Sequence, residues 1–117
     1  MQNESKPTGA QPFAALENAL EVIRSLRPVV PLIRRHNRRL ADQIVDASSS
    51  VVGNVAEGNR RVGRDRLHFF NIAAGSADET RWHLRTALAW GWLHDRDLQR
   101  PLALLDRELA LLWGLTH

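Results

Sequence analysis

Residues 48–79, SSSVVGNVAEGNRRVGRDRLHFFNIAAGSADE, decide the fold. They read as the end of one helix, a tight arginine-rich turn and the start of another helix. Both helical segments are rich in Ala, Gly and Ser, so their backbones are expected to approach closely. Each carries one acid among apolar neighbours, Glu57 in the first and Glu79 in the second. Gly58 is a natural residue for the left-handed position that ends a helix. Gly75 inside the second helix costs about 1 kcal/mol against Ala, and close contact with the Ser48–Ser50 region is the expected compensation.

Working outward, the preceding helix spans about Arg38 to Glu57, with Leu40, Ile44, Ala47, Val51 and Val55 on one apolar stripe. The following helix spans about Arg64 to Leu93. Its stripe includes Phe69, Ile72, Ala73, Ser76, Thr80, Leu84, Ala87 and Leu88. Upstream, Phe13, Leu16, Leu20, Ile23 and Leu26 recur at helical spacing, and Pro28 and Pro31 stop that helix near Leu26. Val29, Val30, Leu32 and Ile33 make the connector apolar enough to pack. Downstream, Asp95 and Asp97 are candidate N-caps of a last helix. Pro101 is expected in or near its first turn, and Leu98, Leu102, Leu105, Leu109 and Leu112 form its stripe.

These four helices with short connections predict an all-α, antiparallel up-down-up-down four-helix bundle over residues 12–117. Residues 1–11, polar and broken by Pro and Gly, read as a disordered tail. At 117 residues the chain is one domain by size. It has no Cys, which excludes disulfides and thiolate metal sites. No apolar run has membrane-spanning length and no signal-peptide pattern opens the chain, so a cytoplasmic location without membrane contact is expected.

The sequence carries no enzyme signature. Glu57 and Glu79 lack the Glu-x-x-His partners of a carboxylate-bridged dimetal site, and buried charges are normally paired. Each is therefore expected to bind an Arg or to cap backbone amides. His36, His68, His83, His94 and His117 form no ligating pair. GxSxG, GxGxxG and GxxxxGK are absent. No catalytic residue, metal or cofactor is expected.

Charge gives more. Of the sixteen basic residues only Lys6 is a lysine, and Arg grips phosphate with a planar fork. Residues 34–66 hold Arg34, Arg35, Arg38, Arg39, Arg60, Arg61, Arg64 and Arg66 against Asp42, Asp46, Glu57 and Asp65. That segment's net of +4 exceeds the +3 of the whole chain. A helix of about twenty residues, roughly 30 Å, separates the two arginine groups, so they lie at opposite ends of the bundle. A solvated surface explains them, as does nucleic-acid binding. Trp82, Trp90, Trp92 and Trp113 add a possible interface: on a helix, Trp90 and Trp92 point about 200° apart, so one is expected in the core and the other exposed or in an oligomer contact.

The central blocks resemble a known family, the bacterial four-helix-bundle proteins encoded within intervening sequences of 23S rRNA genes. The resemblance rests on Gln43, on Ser50-Val51 followed by Asn54-Val55-Ala56-Glu57-Gly58, and on Phe69-Phe70-Asn71-Ile72-Ala73-Ala74-Gly75-Ser76 followed by Glu79 and Leu84. It spans roughly Leu40 to Leu93. Asp46 departs from a basic residue usual in the family, and the Pro28/Pro31 connector is longer. The resemblance implies a non-enzymatic bundle that assembles as a homopentamer, with Asn54, Glu57, Gly58, Gly75, Ser76 and Glu79 as its structural motif. It further implies kinship with the accessory protein of diversity-generating retroelements, a basic pentamer that binds nucleic acid and a reverse transcriptase. On that basis RNA or DNA is an expected partner, through the eight arginines named above. A structural or protein-binding scaffold is the alternative.

Overall fold

The computed structural model describes residues 10–117, and among them every regular element is helical. The order is α1 (Ala10–Leu26), α2 (Val30–Arg34), α3 (Arg38–Asn59), α4 (Gly63–Ala89) and α5 (Asp95–Thr116). Four long helices and one short one thus replace the four expected. The addition is α2, formed by the apolar connector itself. Pro31 sits in its first turn, where the missing amide costs nothing, and Ile33 is fully buried with Val29 beside it. Of the expected tail, residues 1–9 lie outside the described residues; helix α1 begins at Ala10, two residues before the expected domain boundary.

The long helices close around one apolar core, with α1 against α3 and α5, and α4 against α3 and α5. The bundle is elongated, 50 × 29 × 19 Å. Side-chain contacts show neighbours running in opposite senses. Ser50 meets Ser76 while Gly58 meets Phe70 across α3 and α4. Asn18 meets Glu108 while Glu21 meets Arg100 across α1 and α5. Among the described residues no helix is long and apolar enough to cross a membrane.

The α3 stripe is as its spacing predicts: Leu40, Ile44, Ala47, Val51 and Val55 are all buried. The α1 stripe is rotated. Ala15, Asn18, Ala19, Val22 and Leu26 are buried, whereas Leu16, Leu20 and Ile23 are half-buried and Phe13 is exposed. Small residues let α1 settle close to the core, and the larger ones flank the seam. On α4 the buried aromatic is Phe70 rather than Phe69, and Ile72 faces outward.

Glycine roles also differ. Gly58 lies inside α3 rather than ending it, and its reason is packing: a Cβ there would stand 2.6 Å from Phe70 Cε1. The backbone that needs glycine's left-handed freedom is at Gly63 and Gly91, with φ 62° and 81°. Nothing lies within 4 Å of a Cβ placed at Gly75, so helix contact does not explain that glycine. The close approach of α3 and α4 occurs one residue later, where Ser76 Oγ donates to Ser50 Oγ at 3.0 Å. Asn54 Nδ2 donates to the same Ser50 hydroxyl at 3.0 Å and to its carbonyl at 2.8 Å.

Helix α5 is capped by His94, not by Asp95 or Asp97. Asp97 instead accepts from the His94 amide at 2.8 Å, completing a capping box. Pro101 is the seventh residue of α5 and is buried, beyond the first turn expected for it.

Candidate nucleic-acid interface

The arginines fall at two ends of the bundle, as the length of α3 requires. At the α3–α4 turn, two of four are engaged. Arg61 Nη2 bonds Glu57 at 2.8 Å and its guanidinium lies over the Phe69 ring at 5.3 Å. Arg66 lies over Phe70 at 5.0 Å. Arg60 and Arg64 are exposed.

The corner between α2 and α3 is freer. Arg34 pairs with Asp42 at 2.5 Å. Among the described residues Arg35, Arg38 and Arg39 have no carboxylate within 4.0 Å, and all three are exposed. The corner is fixed by Asn37, extended at φ −154°, whose side chain accepts from the Leu40 amide at 2.9 Å and caps α3. The positive end of the α3 dipole therefore coincides with Arg38 and Arg39.

Against this corner sits an aromatic group that sequence reasoning split apart. Helix α4 stops at Ala89, so Trp90 and Trp92 belong to a turn, not to opposite helix faces. The Gly91 amide donates to Leu88 O at 2.9 Å and the Trp92 amide to Ala87 O at 3.1 Å. These two bonds, with Gly91 left-handed, form a Schellman cap. The cap brings the rings of Trp90 and Trp92 together, 5.9 Å apart and 14° from parallel. Trp92 also stacks on His36 at 5.4 Å and 2°. The signal was Gly91, a helix-ending residue three positions after the last stripe residue, Leu88.

Of the two acids expected to bind an Arg or cap backbone amides, Glu57 binds an Arg, whereas among the described residues Glu79 meets a His instead. Glu57 holds Arg61, and Glu79 lies 3.1 Å from His83 Nε2. The two do not form a site together, and among the described residues no cluster of three metal-ligating side chains occurs. The carboxylate of the core is Glu108, fully buried between α1 and α5. Its Oε1 accepts from Asn18 Nδ2 at 2.9 Å, while Oε2 has no partner. Burial pushes the Glu108 carboxyl up to about 7, against the opposing pull of the Asn18 bond and the Arg107 charge.

Large apolar side chains remain exposed outside this corner. On α4 they include Leu67, Ile72 and Trp82, with Trp82 52% exposed and Arg85 over its ring. On α5, Trp113 is exposed. A groove of about 380 Å³ opens between α1, α2 and α3, lined by Ile23, Val30 and Val45 with Arg27 and Arg34 at its edge.

The family model for the 23S rRNA-intervening sequence protein matches residues 14–114. A solved structure of a protein of unknown function from the S23 ribosomal protein family of Bacteroides thetaiotaomicron is similar in fold. Its TM-score is 0.77 at 18% identity, covering 91% of this chain and 97% of that one. No curated protein matches the sequence.

Proposed function

The chain belongs to the 23S rRNA-intervening sequence protein family, and from that premise we propose that it is a non-enzymatic, homo-oligomeric bundle of the cytoplasm that binds RNA or other nucleic acid through arginine-rich surfaces. The observation that carries this reading is the trio Arg35, Arg38 and Arg39, exposed and, among the described residues, without carboxylate partners at a capped helix N-terminus. Arginines held by acids have spent their charge within the protein; these three retain theirs for phosphate. The α3–α4 turn is the weaker surface, with Arg61 and Arg66 already engaged. Self-association is supported by the exposed Ile72 and Trp82 on α4, since Trp anchors interfaces. A pentamer follows from the family resemblance, and would repeat the basic corner around a ring, multiplying weak contacts.

Light scattering with and without RNA tests both parts. The expected result is a particle of several protomers that gains mass when RNA is added at low salt. A protomer-sized particle removes the ring, and an RNA-indifferent one removes the nucleic-acid reading. The exposed tryptophans and the α1–α2–α3 groove also support a protein-binding scaffold, which predicts an oligomer indifferent to RNA.

A further inference from the structure

Resting on the nucleic-acid reading above, we propose that the corner is a single-strand site, in which the exposed ring of Trp90 stacks an unpaired nucleobase while Arg35, Arg38 and Arg39 hold the neighbouring phosphates. Three observations carry this. The first is the aromatic series His36, Trp92 and Trp90, whose shared member Trp92 is half-buried and whose outer member Trp90 is 68% exposed. A large ring backed by a second ring and left open to water is a stacking platform with one place vacant.

The second is its setting. The series joins the two segments at this end of the bundle. His36 lies between Arg35 and the Asn37 cap, two residues before Arg38. The acids here are engaged or outnumbered. Arg34 holds Asp42, the His94 amide holds Asp97, and Asp95 is followed by Arg96. A protein partner's side chain also suits an exposed Trp, but Arg35, Arg38 and Arg39, which flank His36 in the chain without carboxylate partners among the described residues, favour a base attached to phosphates.

The third is rigidity. Two capped helix ends place the parts: the Schellman cap at Gly91 sets Trp90 and Trp92, and the Asn37 cap sets His36 and Arg38. Such a platform is ordered before the ligand arrives, so binding does not bear the cost of ordering it. A base within a duplex has both faces covered by its neighbours, whereas an unpaired base can be splayed onto an aromatic ring. The arrangement therefore discriminates between single strands and duplexes without reading base edges, as sequence-tolerant stacking sites do.

The test uses the full chain, with fluorescence anisotropy on a labelled single-stranded RNA of about twelve nucleotides and on a duplex of the same sequence. Wild type is compared with Trp90→Ala, Trp90→Phe and Arg38→Ala/Arg39→Ala; circular dichroism checks each fold. Wild type is expected to bind the single strand more tightly than the duplex. Trp90→Ala should lose roughly 5- to 100-fold for the single strand and leave duplex affinity and salt dependence unchanged. Trp90→Phe should recover most of the loss. Single-strand affinity unchanged in Trp90→Ala but reduced in the arginine variant would overturn the stacking site and leave the nucleic-acid reading standing. Failure of wild type to bind either RNA would overturn both. A fall in particle mass for Trp90→Ala with RNA affinity intact would overturn the proposal in favour of a contact between protein chains.

Discussion

Asn18 and Glu108 are joined inside the core: Asn18 Nδ2 donates to Glu108 Oε1 at 2.9 Å and also to the Leu104 carbonyl at 2.9 Å, binding α1 to α5. The bond fixes the register of two helices far apart in the chain. It also leaves a carboxyl group in an apolar setting with one oxygen unpartnered. Burial raises the folded-state pKa from 4.5 to about 7, so the native state holds a proton that the unfolded state releases near 4.5. The stability this group contributes is complete below pH 4.5 and is lost as pH rises through about 7, by roughly 3 kcal/mol. Glu108→Gln keeps the shape and cannot ionise. Thermal melts across that pH range should flatten for the variant, with its Tm above wild type by roughly 10 °C at pH 8. An equally steep decline in the variant would assign the pH dependence to other groups.

Gly58 and Gly75 should respond oppositely to the same substitution. Gly58→Ala drives a methyl group against the fully buried Phe70 ring, so ring or helix must shift. A loss of about 1–3 kcal/mol is expected in urea denaturation. Gly75→Ala meets nothing within 4 Å and should stabilise α4 by up to about 1 kcal/mol. Equal effects at the two positions would mean that the α3–α4 contact is looser than the geometry requires.

Ile72 and Trp82 mark the outward face of α4, where burial against a second copy is the natural use of exposed apolar area. Ile72→Glu/Trp82→Glu should lower the particle mass in light scattering without changing helix content, because neither side chain belongs to the protomer core. A mass equal to wild type would remove this face from the proposed self-association.

What the sequence disclosed depended on whether a core position was occupied by a large apolar residue. Helix α3 was legible because Leu40, Ile44, Val51 and Val55 are both apolar and buried. Helix α1 was read one position off, since its core face is Ala15, Ala19 and Val22 while bulkier side chains flank it. On α5 the buried positions 98, 101, 105, 108 and 112 alternate by three and four. Two of them are Pro101 and Glu108, so attention to leucine alone shifted the stripe to Leu102 and Leu109. The basic corner was visible as composition. Its aromatic partner was not, because treating Trp90 and Trp92 as helical separated two rings that the Gly91 turn stacks together.

Arg35, Arg38 and Arg39 can be weighed through salt. For single strands, log affinity falls with log salt by about 0.7 for each phosphate neutralised. Affinity for a single-stranded RNA should be measured from about 50 to about 200 mM salt, for wild type and for Arg35→Ala/Arg38→Ala/Arg39→Ala. The account predicts a steep wild-type line and a triple variant that binds more weakly, its slope shallower by about 2. Parallel lines of equal affinity, or no wild-type binding at the lowest salt, would contradict it.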